Sequence, residues 1–164
     1  MKLKGTKTAE NLLKSFAGES QANRRYTYYA KVARKQGYIQ IADIFEETAD
    51  QESMHAKRFF SFLNEDKELQ GEMLGITAEY PVALYEETLD NLKAAAAGEN
   101  EEWTDLYPEF AKVAREEGFG AIAAAYDKIA EVEARHEKRY RKLIENIETN
   151  TVFQKSEVVE WKCT

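Results

Sequence analysis

The chain has 164 residues, of which 30 are acidic and 23 are basic, so its formal net charge is −7. This balance, without a concentrated patch of Lys and Arg, argues against nucleic-acid binding and against attraction to an anionic membrane face. No apolar run approaches the roughly 20 residues that a membrane-spanning helix needs, and the N-terminal segment lacks the apolar stretch of a secretory signal. A single cysteine, Cys163, excludes a disulfide within the chain, so we expect a cytoplasmic protein.

Hydrophobic periodicity predicts an all-α chain with four long helices in one domain, residues 1–150. In chain order, the predicted helices cover residues 8–36, 38–64, 83–117 and 119–150. Single glycines at the junctions, Gly37 and Gly118, predict two antiparallel helical hairpins. Between the hairpins, residues 65–81 are too long for a tight turn. We expect this segment to run back along the bundle, as the long crossover of ferritin-like folds does.

The two hairpins are copies of one another. The pentapeptide AKVAR at residues 30–34 recurs at residues 111–115, an offset of 81 residues. The same offset relates further identical pairs: Gly37 and Gly118, Ile41 and Ile122, Ala42 and Ala123, Ala49 and Ala130, Glu52 and Glu133, and His55 and His136. The sequence therefore predicts a four-helix bundle built from a duplicated hairpin.

The repeat changes register inside the third helix. The segments AGES at residues 17–20 and AGEN at residues 97–100 are related by an offset of 80, so one extra residue lies between Glu99 and Ala111. A single inserted residue is commonly accommodated as a π-bulge, and such bulges are frequent at functional sites. We therefore predict a π-bulge near residues 103–107.

Acidic side chains and both histidines interrupt the apolar stripes of the helices. Each histidine follows a glutamate by three positions and so shares a helix face with it. The residues concerned are Glu19, Glu52, His55, Glu99, Glu102, Glu133 and His136. Buried carboxylates without cationic partners are strongly unfavourable, and no Lys or Arg lies at the same level of these stripes. Two metal ions would compensate, and an oxygen-rich, nitrogen-poor ligand set suits iron or manganese better than structural zinc.

Each part of this pattern is weak when it is taken alone. Most glutamates are solvated surface residues, and a buried histidine is commonly held by a hydrogen bond in the core. Recurrence at equivalent positions of two hairpins favours the metal centre over coincidence, and ferritin-like carboxylate proteins arrange their ligands in this way.

The sequence resembles the rubrerythrin family along nearly its whole length. The resemblance is carried by AGESQANRRYTYYA, ADQESMHAKRF, AAAAGENEEWTDLYPEFAKVAREEGF and IAEVEARHEKRY. It implies a ferritin-like bundle with two non-haem iron ions, and reduction of hydrogen peroxide to water in oxidative-stress defence. It also implies electrons from a rubredoxin-type donor and at least a homodimer.

The resemblance also implies a role for each candidate ligand. The four core carboxylates would be Glu19, Glu52, Glu99 and Glu133. Of these, Glu52 and Glu133 would bridge the two iron ions, and His136 would bind one ion. The other ion would bind Glu102 when oxidised and His55 when reduced.

Two tyrosines and the C-terminal tail complete the resemblance. Tyr26 and Tyr107 would donate hydrogen bonds to ligand glutamates or to bound peroxide, although both could be core aromatics in a chain with nine tyrosines. Residues 151–164 resemble the start of a rubredoxin domain, in which Cys163 would begin the iron site. Without a second cysteine, that site cannot form within this sequence. We expect a truncated domain or a variant that receives electrons from elsewhere.

Three other functions remain open from the sequence. The same ligands could serve a ferroxidase or iron-storage protein, which would need a hollow shell of many subunits. They could serve an O₂-activating oxygenase or desaturase, which would need a pocket for an organic substrate. They could also hold metal ions that only stabilise a structural or dimerisation bundle.

Overall fold

The computed structural model describes residues 2–154 and residue 157, and every regular element within them is helical. The elements are α1 (Lys7–Lys35), α2 (Ile39–Glu65), α3 (Thr88–Glu101), a π-helical segment (Glu102–Leu106), α4 (Tyr107–Glu116) and α5 (Gly120–Glu148). α3, the π-helical segment and α4 follow one another without a break. Together they form the third helix of a four-helix bundle. The all-α prediction is confirmed, and so is the predicted π-bulge.

Glycines end the first helix of each hairpin. Gly37 and Gly118 have φ values of 84° and 85°, in the left-handed region where a side chain would be strained. After each glycine, a backbone N–H turns back to the preceding helix: Tyr38 donates to the carbonyl of Ala33 at 2.9 Å, and Phe119 to that of Ala114 at 2.7 Å. These bonds close Schellman-type C-caps, which reverse the chain within three residues.

The hairpins pack face to face around two apolar clusters. α1 lies along α2, α3 and α4 lie along α5, and α1 also contacts α3 and α4. One cluster includes Leu12, Phe59, Tyr107 and Tyr126, and the other includes Tyr26, Phe45, Leu92 and Tyr140. On α1, α2 and α5, a buried glutamate lies between residues of the two clusters. The middle of the bundle is therefore polar, with an apolar core at either end.

Residues 66–87 form the long crossover, which the sequence predicts at residues 65–81, and hydrogen bonds with α1 hold it in place. The hydroxyl of Tyr29 donates to the carbonyl of Ala83 at 2.7 Å, and the hydroxyl of Tyr80 donates to the carbonyl of Lys14 at 2.8 Å. These bonds fix the crossover against α1.

The predicted start of the third helix at Ala83 is wrong, because α3 begins at Thr88. The carbonyl of Ala83 accepts from Tyr29, and the backbone N–H and carbonyl of Tyr85 both pair with the side chain of Asn91 at 2.9 Å. Side chains thus occupy the backbone groups that another helical turn would use.

The predicted rubredoxin-like tail, with Cys163, lies largely outside the described residues. The division into a bundle of residues 1–150 and a tail therefore stays a prediction. Of the helices that are described, none combines the length and the apolar character that crossing a membrane requires.

Candidate metal centre

Six of the seven candidate ligands meet in the middle of the bundle. They are Glu19 from α1, Glu52 and His55 from α2, Glu99 from α3, and Glu133 and His136 from α5. Each of the four glutamates is at most 1% exposed. The three-residue spacing directs each histidine to the same side of its helix as its partner glutamate.

The six residues form two overlapping groups. One contains Glu19, Glu52, His55 and Glu133, and the other contains Glu52, Glu99, Glu133 and His136. Within each group, one potential ligand atom from every residue lies within 4.8 Å of all the others. Because Glu52 and Glu133 belong to both groups, two cations could be held side by side with these carboxylates shared between them.

Each imidazole contacts both shared carboxylates through Nδ1. In His55, Nδ1 lies 2.8 Å from Glu133 Oε1 and 3.1 Å from Glu52 Oε2. In His136, Nδ1 lies 2.7 Å from Glu133 Oε2 and 3.2 Å from Glu52 Oε1. In both histidines, Nδ1 is therefore the nitrogen that would bind a metal ion.

The crowded charges perturb the protonation of the site in the metal-free protein. Burial opposes a charged imidazole, but the close contacts with the carboxylates of Glu133 and Glu52 outweigh it and raise the pKa of His55 to about 9 and of His136 to about 12. Burial and the charge of Glu52 raise the pKa of Glu99 to about 8. The site thus holds protons at neutral pH, and metal ions would displace them.

The unpaired atoms of the core concentrate at this site. Within the part of the chain that the structure describes, seven buried side-chain atoms lack a hydrogen bond of normal geometry, and six of them belong to the candidate ligands. The six are Glu19 Oε2, Glu52 Oε1, Glu99 Oε2, both carboxylate oxygens of Glu133, and His136 Nδ1. Leaving such atoms without partners costs about 1–3 kcal/mol each. Four carboxylates and two imidazoles that converge with free lone pairs fit a pair of divalent metal ions.

Two tyrosines connect the hairpins through hydrogen bonds to the candidate ligands. The hydroxyl of Tyr26 donates to Glu99 Oε1 at 2.7 Å, and the hydroxyl of Tyr107 donates to Glu19 Oε1 through a short hydrogen bond. Burial, together with nearby carboxylates, raises the pKa of both hydroxyls well above the usual value. Both tyrosines therefore keep their protons and orient a glutamate of the opposite hairpin.

The seventh candidate, Glu102, lies beside the six residues and belongs to neither group. It is half-buried in the π-helical segment and lines a cleft of about 310 Å³ together with Arg25, Tyr80 and Tyr107. The cleft opens to solvent at Tyr80, which is 39% exposed. Burial and the charges of the nearby core carboxylates raise the pKa of Glu102 well above its usual value. The extra residue of the third helix thus places a carboxylate between the buried site and the surface.

Comparison with known proteins identifies the family. A family model described as rubrerythrin matches residues 10–144. The chain belongs to the rubrerythrin family. Rubrerythrin-1 of Clostridium acetobutylicum is 62% identical over 162 residues, which cover 98% of this chain and 82% of that protein. Rubrerythrin of Nitratidesulfovibrio vulgaris is 47% identical over 161 residues, which cover 98% of this chain and 81% of that protein.

The solved structures agree with the fold. Nigerythrin in its fully reduced, all-ferrous state matches with a TM-score of 0.75 and 34% sequence identity, over 90% of this chain and 73% of that chain. Symerythrin from Cyanophora paradoxa, reduced with dithionite, matches with a TM-score of 0.73 and 22% identity, over 90% of this chain and 88% of that chain. The ferritin-like architecture predicted from the sequence is therefore confirmed.

Rubrerythrins bind a di-iron centre and act as oxidoreductases of oxidative-stress defence. The two groups of candidate ligands in this chain suit such a centre, because they offer six potential ligands with shared carboxylates. The expected iron cofactor is consistent with the family and with the chemistry of the donor atoms.

Sequence reasoning missed Gln51, whose Oε1 lies 2.6 Å from His136 Nε2. Gln51 corresponds to Val132 in the repeat. The residue before the shared glutamate is therefore polar in the first hairpin and apolar in the second. That break in the repeat is the signal from which the residue could have been found.

Proposed function

We propose that this rubrerythrin is a non-haem di-iron peroxidase that reduces hydrogen peroxide to water with electrons from a rubredoxin-type donor. The observation that carries the proposal is the pair of ligand groups that share Glu52 and Glu133. Reduction of one H₂O₂ to two H₂O consumes two electrons and two protons. Two ferrous ions bound side by side would supply one electron each. A homodimer or larger homo-oligomer in the cytoplasm is the setting we propose.

The ligand roles follow from the two groups. Glu19 and His55 would complete one metal position, Glu99 and His136 would complete the other, and Glu52 and Glu133 would serve both. Glu102 would act as an additional ligand from the cleft side, because it lies next to the core carboxylates without belonging to either group.

The cleft gives a small polar substrate a route to the site. Its lining includes both Glu102 and Tyr107, so a molecule that entered here would pass a carboxyl group and a hydroxyl group. The Tyr107 hydroxyl keeps its proton, and by turning away from Glu19 Oε1 it could donate that proton to an oxygen atom that becomes charged. Tyr26 holds Glu99 in orientation on the opposite side of the site.

Anaerobic stopped-flow absorbance tests the reaction. The full chain is loaded with two Fe(II) ions and is mixed separately with H₂O₂ and with O₂. Oxidation that is much faster with peroxide and complete near one equivalent per site supports the proposal. An equal or faster reaction with O₂ would instead indicate ferroxidase or oxygenase chemistry. Fe(II) that reacts with neither oxidant would indicate that the metal ions only stabilise the bundle.

Steady-state turnover tests the electron donor. With an NADH-dependent reductase, peroxide consumption should require an added rubredoxin, and a reaction without rubredoxin is the control. Full turnover with the reductase alone would contradict this part of the proposal. Mass measurement of the assembly distinguishes a dimer from the many-subunit shell that iron storage requires.

A further inference from the structure

The two nitrogens of His136 face different partners. Nδ1 points to the core carboxylates, at 2.7 Å from Glu133 Oε2, while Nε2 lies 2.6 Å from Gln51 Oε1 on the neighbouring helix α2. An imidazole that binds a metal through Nδ1 carries its proton on Nε2, and that proton needs an acceptor when it is buried. Gln51 Oε1 is placed to be this acceptor.

A surface ion pair fixes the orientation of the Gln51 amide. Gln51 Nε2 lies 3.3 Å from Glu47 Oε1, one turn earlier on α2. Glu47 accepts two hydrogen bonds from the guanidinium of Arg139, at 3.0 and 2.9 Å, and Arg139 lies one turn beyond His136 on α5. An ionised carboxylate can only accept, so the amide nitrogen faces Glu47 and the amide oxygen must face His136.

In the part of the chain that the structure describes, the other hairpin has no counterpart of this arrangement. At the offset of 81 residues, Glu47 and Gln51 are replaced by Lys128 and Val132. Lys128 pairs instead with Glu131 at 2.8 Å, and the valine side chain cannot accept a hydrogen bond. Arg139 corresponds to Arg58, whose guanidinium lies over the ring of Phe62 at 4.1 Å from its centroid. The duplication has kept both histidines and both arginines, and it has changed the two residues that connect them.

We propose that Gln51, Glu47 and Arg139 form a positioning network that fixes His136 as a metal ligand, whereas among the described residues no equivalent network supports His55. The inference rests on the ligand role proposed above for His136. It is consistent with the exposure of the rings, since the side chain of His136 is 3% exposed and that of His55 is 13% exposed. The metal position completed by His136 should therefore be the tighter of the two.

Titration with Co(II) alone, followed by absorbance in the absence of peroxide, measures this directly. In the Gln51→Leu variant, the affinity of one of the two sites should fall about 10–100-fold and that of the other should stay unchanged. Val132→Leu is the matched control at the equivalent position, and it should titrate like the unmodified chain. Gln51→Glu retains an acceptor for the Nε2 proton and should restore the affinity to within a few-fold. Glu47→Ala should give a smaller loss than Gln51→Leu.

A second measurement separates positioning from a general loss of structure. In Zn(II)-loaded protein with ¹⁵N-labelled histidine, one imidazole N–H should be protected from solvent exchange, and Gln51→Leu should remove that protection. Far-ultraviolet circular dichroism establishes that the variant is folded.

The outcomes distinguish this inference from the proposed function. If the unmodified chain binds Co(II) at both sites and Gln51→Leu binds it equally well, the network does not position His136. The same conclusion follows if Val132→Leu weakens binding as much as Gln51→Leu does. If the unmodified chain binds no metal, the di-iron function itself fails. Because no peroxide is present, these results do not depend on the identity of the substrate.

Discussion

The two hairpins of this rubrerythrin are similar in their backbone and in most of their candidate ligands. Each begins with a long helix that ends at a left-handed glycine, and each second helix carries one glutamate and one histidine toward the centre. Tyr26 and Tyr107 occupy equivalent positions, and each donates to a glutamate of the other hairpin. Duplication therefore explains both the pairing of the ligands and the reciprocal hydrogen bonds between the halves.

The differences between the hairpins lie beside the ligands. The second hairpin has a π-helical segment that brings Glu102 to the cleft, whereas the first has the buried Ala22 at the corresponding position. The first hairpin supplies Gln51, which contacts the histidine of the second. A symmetric frame thus provides two similar groups of candidate ligands, and a few local changes make the surroundings of those groups unequal.

The largest expected effect comes from removing a carboxylate that both halves share. Glu133→Gln should reduce bound iron from two ions per chain to fewer than about one, because Glu133 contributes to both ligand groups. Elemental analysis after anaerobic reconstitution measures the iron content. The exposed Glu131→Gln is the control, and two retained ions in Glu133→Gln would show that the carboxylate is not shared.

The next effect comes from making the second hairpin like the first. Glu102→Ala reproduces the Ala22 of the first hairpin and leaves all six core candidates in place. We expect two bound iron ions but oxidation by peroxide about 10–100-fold slower, measured by stopped-flow absorbance. Glu109→Ala, which replaces an exposed residue of α4, is the control. An unchanged rate would exclude a role for the cleft-side carboxylate.

A smaller effect on the rate of oxidation is expected from changing either of the two equivalent tyrosines, and it should differ between them. Tyr107→Phe should slow peroxide-driven oxidation about tenfold, because Tyr107 lines the cleft, and Tyr26→Phe should slow it less. Each change removes one buried hydrogen bond, so both should reduce the free energy of unfolding by about 1 kcal/mol. Urea denaturation checks that the two losses of stability are alike. Equal rates in the two variants would contradict the proposal that peroxide reaches the site from the cleft beside Tyr107.

The smallest effect is the pH dependence of metal-free stability. The pKa of Glu99 is raised to about 8 and that of His55 to about 9, so the native state binds more protons than the unfolded state between about pH 6 and 9. Stability is present below the unfolded pKa values and is lost as the pH rises through the folded ones. We expect the free energy of unfolding to fall by at least about 1 kcal/mol across this range, measured by urea denaturation. The contribution of Glu52, whose pKa is lowered to about 2, is constant there.

Metal-loaded protein is the comparison for this prediction. Bound metal would replace the protons of the site, so its stability should decline much less over the same range. A metal-free stability that rises with pH would contradict the assigned direction.

The sequence by itself determined much of this architecture. Apolar periodicity predicted four helices and glycines predicted the hairpin turns, because both signals are local properties of the chain. The repeat predicted the π-helical segment, because a one-residue change of offset inside a helix has few other structural outcomes. Helix spacing placed seven candidate ligands on inward faces, and the structure brings six of them together, without Glu102, although their binding of metal stays a prediction.

Tertiary structure decided which of these local possibilities are realised. α3 begins five residues later than predicted, because Tyr29 and Asn91 occupy backbone groups of the crossover. The contact between Gln51 and His136 joins residues that are 85 positions apart, so no helical period relates them. Periodicity reports the face on which a side chain lies, but its hydrogen-bond partner depends on how separate helices pack.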